Sequence, residues 1–188
     1  GALGTLLAMP ANEPSGELRR ETHAVRAGLR RSQFLETSEA MYLTSGYVYD
    51  SAAQAEATFK EEIERYSYSR YANPTVSMFE ERLAALEGAE ACYATPTGMS
   101  AVFAVLGGLC GAGDRIVASR ALFGTCYAIC AEVLPRWGVE TVFVDGTDLE
   151  QWRAALSVPT TAVFFETPSN PTMTIVDIAA VAELAHAA

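Results

Sequence analysis

Residues 140–166, ETVFVDGTDLEQWRAALSVPTTAVFFE, decide the fold class because two kinds of pattern alternate in them. The runs ETVFVD at 140–145 and TAVFFE at 161–166 are short and mostly apolar, which is typical of buried strands. Between them, DLEQWRAAL at 148–156 predicts a helix. Apolar strands that are joined by a helix indicate a parallel sheet covered on both faces. The stretch therefore predicts an α/β fold.

The same alternation extends outward from this stretch. Strands are predicted at 90–95 and 114–119, and helices at 99–109, 125–137 and 177–188. The connections between parallel strands are expected to be right-handed. Because ligands of such sheets bind outside the carboxyl ends of the strands, the loops that follow the strands are the candidate binding segments.

A further helix is predicted between Asn73 and Gly88. Asn73 is a capping residue type, Pro74 suits the first helical position, and Gly88 ends the helical spacing of apolar residues. The residues before this helix are polar and show no strand alternation. We therefore predict an extended or partly helical arm at 1–70 and a large domain that begins at 71 and continues to 188.

Charge and composition exclude several functions. The 188 residues carry 13 basic and 23 acidic side chains, a formal net charge of −10, whereas proteins that bind nucleic acids carry clustered Lys and Arg. No apolar run reaches the roughly 18 residues needed to cross a membrane. The four cysteines form no CxxC pair and have no neighbouring histidine, so no metal site is expected. We interpret them as buried thiols of a cytoplasmic protein.

Three loops follow predicted strands, and each contains a candidate binding residue. The loops lie at 95–100, 120–125 and 167–173. In the first, Gly98 lies at a helix start between the hydroxyl groups of Thr97 and Ser100, which suits a phosphate group but also an ordinary turn. In the second, Phe123 is a candidate to stack on a planar ring or, equally, to plug the core. In the third, two prolines fix a turn that presents the Asn170 amide, although Asn before Pro is also a common turn residue.

Tyr68 and Arg70 precede the first strong helix. On an extended segment they lie on the same side, where a phenol and a guanidinium together suit a phosphate. The alternative for either residue is a solvated surface position.

Four segments together resemble, in order and spacing, the Cys/Met-metabolism family of pyridoxal-phosphate enzymes. They are YSRYANPTVSMFEERLAALEGAE at 68–90, TPTGMSAV at 95–102, GDRIVASRALFGT at 113–125 and FFETPSNPTMTIVDI at 164–178. The resemblance covers about residues 65–188 and extends to the preceding arm through THAVRAG at 22–28.

The resemblance implies a type I, aspartate-aminotransferase-like fold, with a three-layer parallel-sheet large domain and an arm that makes oligomer and neighbouring-site contacts. It implies pyridoxal 5'-phosphate as the cofactor, an amino-acid substrate, and a homodimer or homotetramer. It also implies that backbone N–H groups of the first loop bind the cofactor phosphate, that the arm reaches the same phosphate in the neighbouring subunit, that an aromatic ring stacks on the pyridine, and that an amide lies near the ring hydroxyl and the substrate carboxylate. By motif, Gly98 and Met99 belong to the first loop, and Tyr68 and Arg70 belong to the arm. Phe123 is the aromatic residue, and Asn170 carries the amide.

The lysine that forms the Schiff base in this family has no counterpart here. Lys60 is the sole lysine of the 188 residues and is interpreted as a charged surface residue beside two glutamates. We therefore expect the catalytic lysine after Ala188, and we expect this sequence to be the amino-terminal portion of a longer enzyme that is inactive by itself.

The activity implied by the resemblance is a γ-replacement in methionine biosynthesis. The reaction forms homocysteine from O-succinylhomoserine or O-acetylhomoserine and sulfide. Phe123 favours the sulfhydrylases, because many other members have a tyrosine at this position. The alternatives are a cystathionine γ-synthase or γ-lyase of the same family and, from another class, a non-catalytic interaction fragment.

Overall fold

A computed structural model describes residues 18–188, so residues 1–17 of the predicted arm lie outside the described residues. The chain divides into two compact units between Ala94 and Thr95, and each unit is described separately below. The helix predicted to open the large domain therefore lies in the first compact unit. None of the helices in residues 18–188 is both long and apolar enough to cross a bilayer.

The first unit contains three helices. They are α1 (Arg20–Arg26), α2 (Ala52–Phe59) and α3 (Pro74–Glu87). Helix α3 confirms the prediction at both ends: the Asn73 side chain accepts a hydrogen bond from the Thr75 N–H at 2.9 Å, and Gly88 ends the helix with a left-handed φ of 65°. Helix α1 packs on α3, and the chain turns after it at Gly28, where φ is also positive.

The second unit is built on a three-stranded parallel sheet. Its strands are β1 (Arg115–Ser119), β2 (Glu140–Val144) and β3 (Ala162–Phe164), in the order β2-β1-β3. Its α-helices are α4 (Gly98–Leu109), α5 (Gly124–Ala128), α6 (Leu149–Ala155) and α7 (Ile178–Ala187). In the central strand, Val117 pairs with Val142 on one side and with Val163 on the other.

Helices cover both faces of this sheet. On one face, Ile116 and Ala118 pack in a core cluster that includes Leu106 of α4 and buried side chains of the helical segment after β1. On the other face, Val117 packs with Trp152 of α6 and Val181 of α7. Successive side chains of β1 thus pack alternately into two separate cores. The predicted three-layer α/β architecture is confirmed.

Two predicted elements differ in the structure. The predicted strand at 90–95 is wrong: within the described chain this segment pairs with no strand, and the Ala94 N–H donates instead to the Glu80 carboxylate at 2.7 Å. The predicted continuous helix at 125–137 changes from α to a π turn at Ile129–Val133 and then to a 3-10 turn at Leu134–Trp137. Pro135 has no N–H to donate, so the α-helical hydrogen bonding cannot continue through it.

Candidate functional site

The sheet topology creates a crevice between the carboxyl ends of β1 and β3. The helical segment after β1 packs on one face of the sheet, whereas α7, which follows β3, packs on the other. The loops after these neighbouring strands therefore separate, and such a switch point is where α/β sheets bind ligands. Two of the three predicted binding loops, with Phe123 and Asn170, lie at this crevice.

The remaining predicted loop, at 95–100, starts helix α4 and forms an open cradle of donors. The Thr97 hydroxyl caps the helix by accepting from the Ser100 N–H at 3.0 Å, and the two hydroxyl oxygens lie 2.9 Å apart. Within the described residues, the N–H groups of Gly98 and Met99 donate no hydrogen bond, and a Cβ added at Gly98 would meet nothing within 4 Å. Two unused backbone donors, the helix dipole and adjacent hydroxyls suit a phosphate group.

A sulfur contact joins this cradle to the segment that carries Phe123. The Cys126 thiol on α5 lies 3.8 Å from the Met99 sulfur. Cys126 also lies beside the Glu166 carboxylate, and burial together with this carboxylate raises the pKa of the thiol to about 11. The thiol is therefore protonated near neutral pH, and its contribution is packing rather than nucleophilic chemistry.

Glu166 joins the loops after β1 and β3. One carboxylate oxygen accepts from the Phe123 N–H at 2.9 Å, and the other accepts from the Asn170 N–H at 3.3 Å. Glu166 was not among the residues predicted from the sequence. The sequence did contain a signal for this residue, because Glu166 is an acidic residue directly after an apolar strand, at the edge of the sheet where ligands bind.

The side chains of Phe123 and Asn170 are accessible. Phe123 is 42% exposed and belongs to neither core cluster, so it does not plug the core, and it is accessible for stacking. The Asn170 amide is exposed, and within residues 18–188 it makes no side-chain hydrogen bond. Next to it, Ser169 is buried, and its hydroxyl accepts from the Thr174 N–H at 3.0 Å, which fixes the turn that presents the amide.

Tyr68 and Arg70 lie together in the first unit, although not on an extended segment as predicted. The chain turns after Tyr68, whose carbonyl accepts from the Tyr71 N–H at 2.9 Å. The Arg70 guanidinium packs over the Tyr68 ring at 5.1 Å and over the Tyr71 ring at 4.7 Å. Among the described residues, Arg70 forms no ion pair, so its charge is available to an anion.

Hydrogen bonds from the start of α3 hold this turn in place. The Asn73 amide donates to the Ser69 hydroxyl at 3.0 Å and to the Tyr42 carbonyl at 2.9 Å. The Ser69 N–H donates to the Ser45 carbonyl at 2.9 Å. The buried capping residue of α3 therefore also orders the arm segments around Tyr68 and Arg70.

Lys60 has the surface role that the sequence analysis assigned to it. It follows α2, and its ammonium group pairs with Glu56 at 2.5 Å, where both side chains are more than half exposed. Its partner lies one helical turn earlier, rather than at the adjacent Glu61 or Glu62.

These residues fit pyridoxal phosphate. Within the described residues, the cradle at Gly98 and Met99 offers unused donors for the phosphate, Phe123 offers an accessible aromatic side chain for the pyridine, and Asn170 offers an exposed amide without a side-chain hydrogen bond. The roles of the six predicted site residues in cofactor binding stay predictions.

Curated proteins with similar sequences include sulfhydrylases and lyases that act in sulfur amino-acid metabolism by their names. Over 167 residues, or 89% of this chain, the sequence is 68% identical to an O-succinylhomoserine sulfhydrylase of Mycobacterium tuberculosis and 47% identical to one of Pseudomonas aeruginosa. It is 40% identical over 163 residues to an L-methionine gamma-lyase of Treponema denticola. In each case the match spans 41% of the relative. The chain thus covers about two fifths of the length of these curated relatives.

Solved structures of similar enzymes share the fold. A Campylobacter jejuni protein, provisionally assigned as an O-acetylhomoserine (thiol)-lyase and containing a pyridoxyl-lysine phosphate, matches with a TM-score of 0.81 at 28% identity, over 91% of this chain and 42% of that one. Cystathionine gamma-lyase of Lactobacillus plantarum matches with a TM-score of 0.76 at 31% identity, over 90% and 42% of the respective chains. The predicted type I fold of pyridoxal-phosphate enzymes is confirmed.

The family profile described as Cys/Met metabolism PLP-dependent enzyme matches residues 21–188. This match covers both units of the structure and all six predicted site residues. The chain belongs to the Cys/Met-metabolism family of pyridoxal-phosphate-dependent enzymes.

Proposed function

We propose that this chain is part of an O-succinylhomoserine sulfhydrylase, which forms homocysteine from O-succinylhomoserine and sulfide in methionine biosynthesis. The observation that carries the proposal is the 68% identity, over 89% of the chain, to the Mycobacterium tuberculosis O-succinylhomoserine sulfhydrylase. The lower identity of 40% to a methionine gamma-lyase supports the same choice. Membership of the family favours an enzyme over a non-catalytic interaction fragment.

The second unit supplies one side of the cofactor site. Pyridoxal phosphate, when bound, supplies an electron sink for the reacting amino acid. The N–H groups of Gly98 and Met99, with the helix dipole of α4, bind its phosphate. The Phe123 ring stacks on the pyridine and the Asn170 amide orients the ring hydroxyl and the substrate carboxylate.

The first unit supplies residues to a neighbouring subunit. Tyr68 and Arg70 bind the cofactor phosphate of that subunit, which makes the enzyme a homodimer or homotetramer. Support comes from the guanidinium of Arg70, which packs against two tyrosine rings and forms no ion pair among residues 18–188. Further support comes from the exposed apolar residues of the arm, such as Leu43 and Val48, each more than 90% exposed. Exposed apolar patches of this kind are typical of protein interfaces. We assign the enzyme to the cytoplasm.

The Schiff-base lysine belongs to a part of the enzyme beyond these residues. Lys60 pairs with Glu56 on the surface of α2, and the relatives are more than twice as long as their matches to this chain. The 188 residues therefore contribute binding groups and no covalent catalyst.

An assay of the full-length enzyme tests the proposed reaction. The enzyme receives O-succinylhomoserine or O-acetylhomoserine with either sulfide or cysteine, while homocysteine and cystathionine are measured separately, and methionine alone serves as the lyase substrate. We expect homocysteine from O-succinylhomoserine and sulfide to form fastest. A preference for cysteine would indicate a cystathionine γ-synthase, and fastest turnover of methionine would indicate a γ-lyase. A colourless purified protein that binds no pyridoxal phosphate would favour the interaction fragment.

A further inference from the structure

Glu166 contacts the backbone of two residues that we propose to hold the cofactor. It is half-buried, two residues beyond β3. Its carboxylate accepts from the Phe123 N–H at 2.9 Å and from the Asn170 N–H at 3.3 Å, so each oxygen holds one loop. Phe123 and Glu166 are separated by 43 positions in the sequence, so this contact fixes the distance between two loops that the chain itself does not connect locally.

The charge of Glu166 is not used in an ion pair. Within residues 18–188, no ion pair includes its carboxylate. Hydrogen bonds to an ionised acceptor are roughly twice as strong as those between neutral groups. Each oxygen of the carboxylate therefore accepts from a backbone N–H group of the candidate site, at the carboxyl edge of the sheet.

We infer that Glu166 is a positioning residue, which sets the separation of the Phe123 ring and the Asn170 amide by holding the backbone of both loops across the crevice. The inference rests on the proposed function, because it assigns Phe123 and Asn170 to the cofactor. Glu166 itself touches neither the cofactor ring nor the reacting atoms in this role. Substitution of Glu166 therefore changes the orientation and affinity of the bound cofactor, while Phe123 and Asn170 still contact it.

The competing explanation is that Glu166 only stabilises the fold. Phe123 is the N-cap residue of α5, and no side chain of that residue caps the helix. A nearby carboxylate is favourable at a helix N-terminus, so Glu166 also stabilises this short helical segment. A decisive experiment must separate loss of stability from loss of cofactor geometry.

The experiment compares Glu166→Ala, Glu166→Gln and Glu150→Ala in the full-length enzyme. Glu150 is an exposed carboxylate on α6 that pairs only with Arg153 at 3.5 Å among the described ion pairs, so it is the matched control. For each apoenzyme, pyridoxal phosphate is titrated to obtain its Kd. The visible circular dichroism of the bound cofactor reports its orientation, and the midpoint of thermal unfolding reports stability.

We expect Glu166→Ala to raise the Kd by about ten- to a hundredfold, because the two loops lose their hydrogen bonds to the carboxylate and hold the cofactor less firmly, and to change the visible circular dichroism. Glu166→Gln keeps one acceptor but places an NH₂ group against the second N–H donor, so its effects should have the same direction and a smaller size. Glu150→Ala should match the wild type in both measurements.

Distinct results overturn the inference. If Glu166→Ala lowers the unfolding midpoint while the Kd and circular dichroism stay those of the wild type, the residue is structural only. If that variant does not fold, Glu166→Gln decides by the same two measurements. A wild-type enzyme that does not bind pyridoxal phosphate overturns the proposed function and this inference with it, whereas normal wild-type binding with unaltered Glu166 variants overturns this inference alone.

Discussion

At Phe123, substitution can separate the contribution of the ring to cofactor binding from the contribution of the backbone N–H. Phe123→Tyr keeps an aromatic ring at this partly exposed position and the N–H that donates to Glu166, so the full-length enzyme should retain most of its sulfide-dependent homocysteine formation. Phe123→Ala keeps only the N–H and loses stacking worth about 0.5–1.5 kcal/mol, so turnover should fall. Steady-state rates of homocysteine release measure both effects. An alanine variant as fast as the wild type would show that the ring does not stack on the cofactor.

Cys130 predicts a dependence of stability on alkaline pH. Burial raises the pKa of this fully buried thiol from 9.0 to about 11. Between these pH values the unfolded chain has lost the thiol proton while the folded chain retains it, so the stability that the thiol contributes is complete below about pH 9 and is lost as the pH rises through 11. The destabilisation caused by Cys130→Ala should therefore shrink over this range. Thermal unfolding of both proteins at several pH values measures it, and a constant difference would contradict the prediction.

Among the elements, the turn after β2 contacts the end of β1 so closely that it requires glycine. A Cβ added at Gly146 would lie 2.6 Å from the Ser119 hydroxyl and 3.0 Å from a Val176 methyl group, and Ser119 and Val176 are buried. Gly146→Ala should therefore destabilise the protein by about 1–3 kcal/mol through overpacking. The matched control is Gly108→Ala in helix α4, where the new Cβ meets nothing within 4 Å, and which should stabilise by about 0.5–1 kcal/mol. Unfolding midpoints that move in the same direction for both variants would contradict the prediction.

Elements with local signals were predictable from the sequence. Helix α3 has its cap, its first-turn proline and its terminal glycine in the sequence itself, so both of its ends were predicted to the residue. The segment at 90–95 has the apolar composition of a strand, but a strand also requires a neighbouring strand, and sequence composition does not supply that partner. The helix after β1 kept its predicted extent, whereas its change of hydrogen-bonding pattern near Pro135 depends on how the chain accommodates the missing donor.

At the scale of the whole molecule, Arg70 tests the exchange of residues between subunits. In the full-length enzyme, Arg70→Ala should weaken pyridoxal phosphate binding by about ten- to a hundredfold, because a charge-assisted phosphate contact contributes about 1.5–3 kcal/mol. Arg153→Ala removes an exposed guanidinium that pairs with Glu150 and should leave the Kd unchanged.

The same variant tests which subunit uses the arm. Subunits with Arg70→Ala are mixed with subunits that lack the Schiff-base lysine, and activity is measured after the oligomers exchange. If the arm acts across the interface, some hybrid sites contain both required residues and activity returns. Inactivity of every hybrid would assign the arm to its own subunit.

Long-range contacts explain which parts of the candidate site the sequence did not reveal. Gly98, Phe123 and Asn170 follow predicted strands, so the rule for parallel sheets pointed to their loops. Glu166 acquires its role only when β3 pairs with β1 and brings the Phe123 N–H within reach. Tyr68 and Arg70 were placed on one side of an extended segment, but a turn and stacking between their side chains bring them together. The Glu166 contact depends on pairing across 43 positions, whereas the Tyr68–Arg70 contact forms within one turn, which a strictly alternating extended segment did not predict.

The strand order also determines when this crevice can form during synthesis. A ribosome releases β1 first and β2 second, so these two strands can pair while β3 is still being translated. The other edge of β1 stays open through that interval and is available for mispairing with other nascent chains. The crevice is completed only when β3 pairs with β1. A slow translation step before β3 would therefore lengthen the exposure of β1 and would also delay cofactor binding.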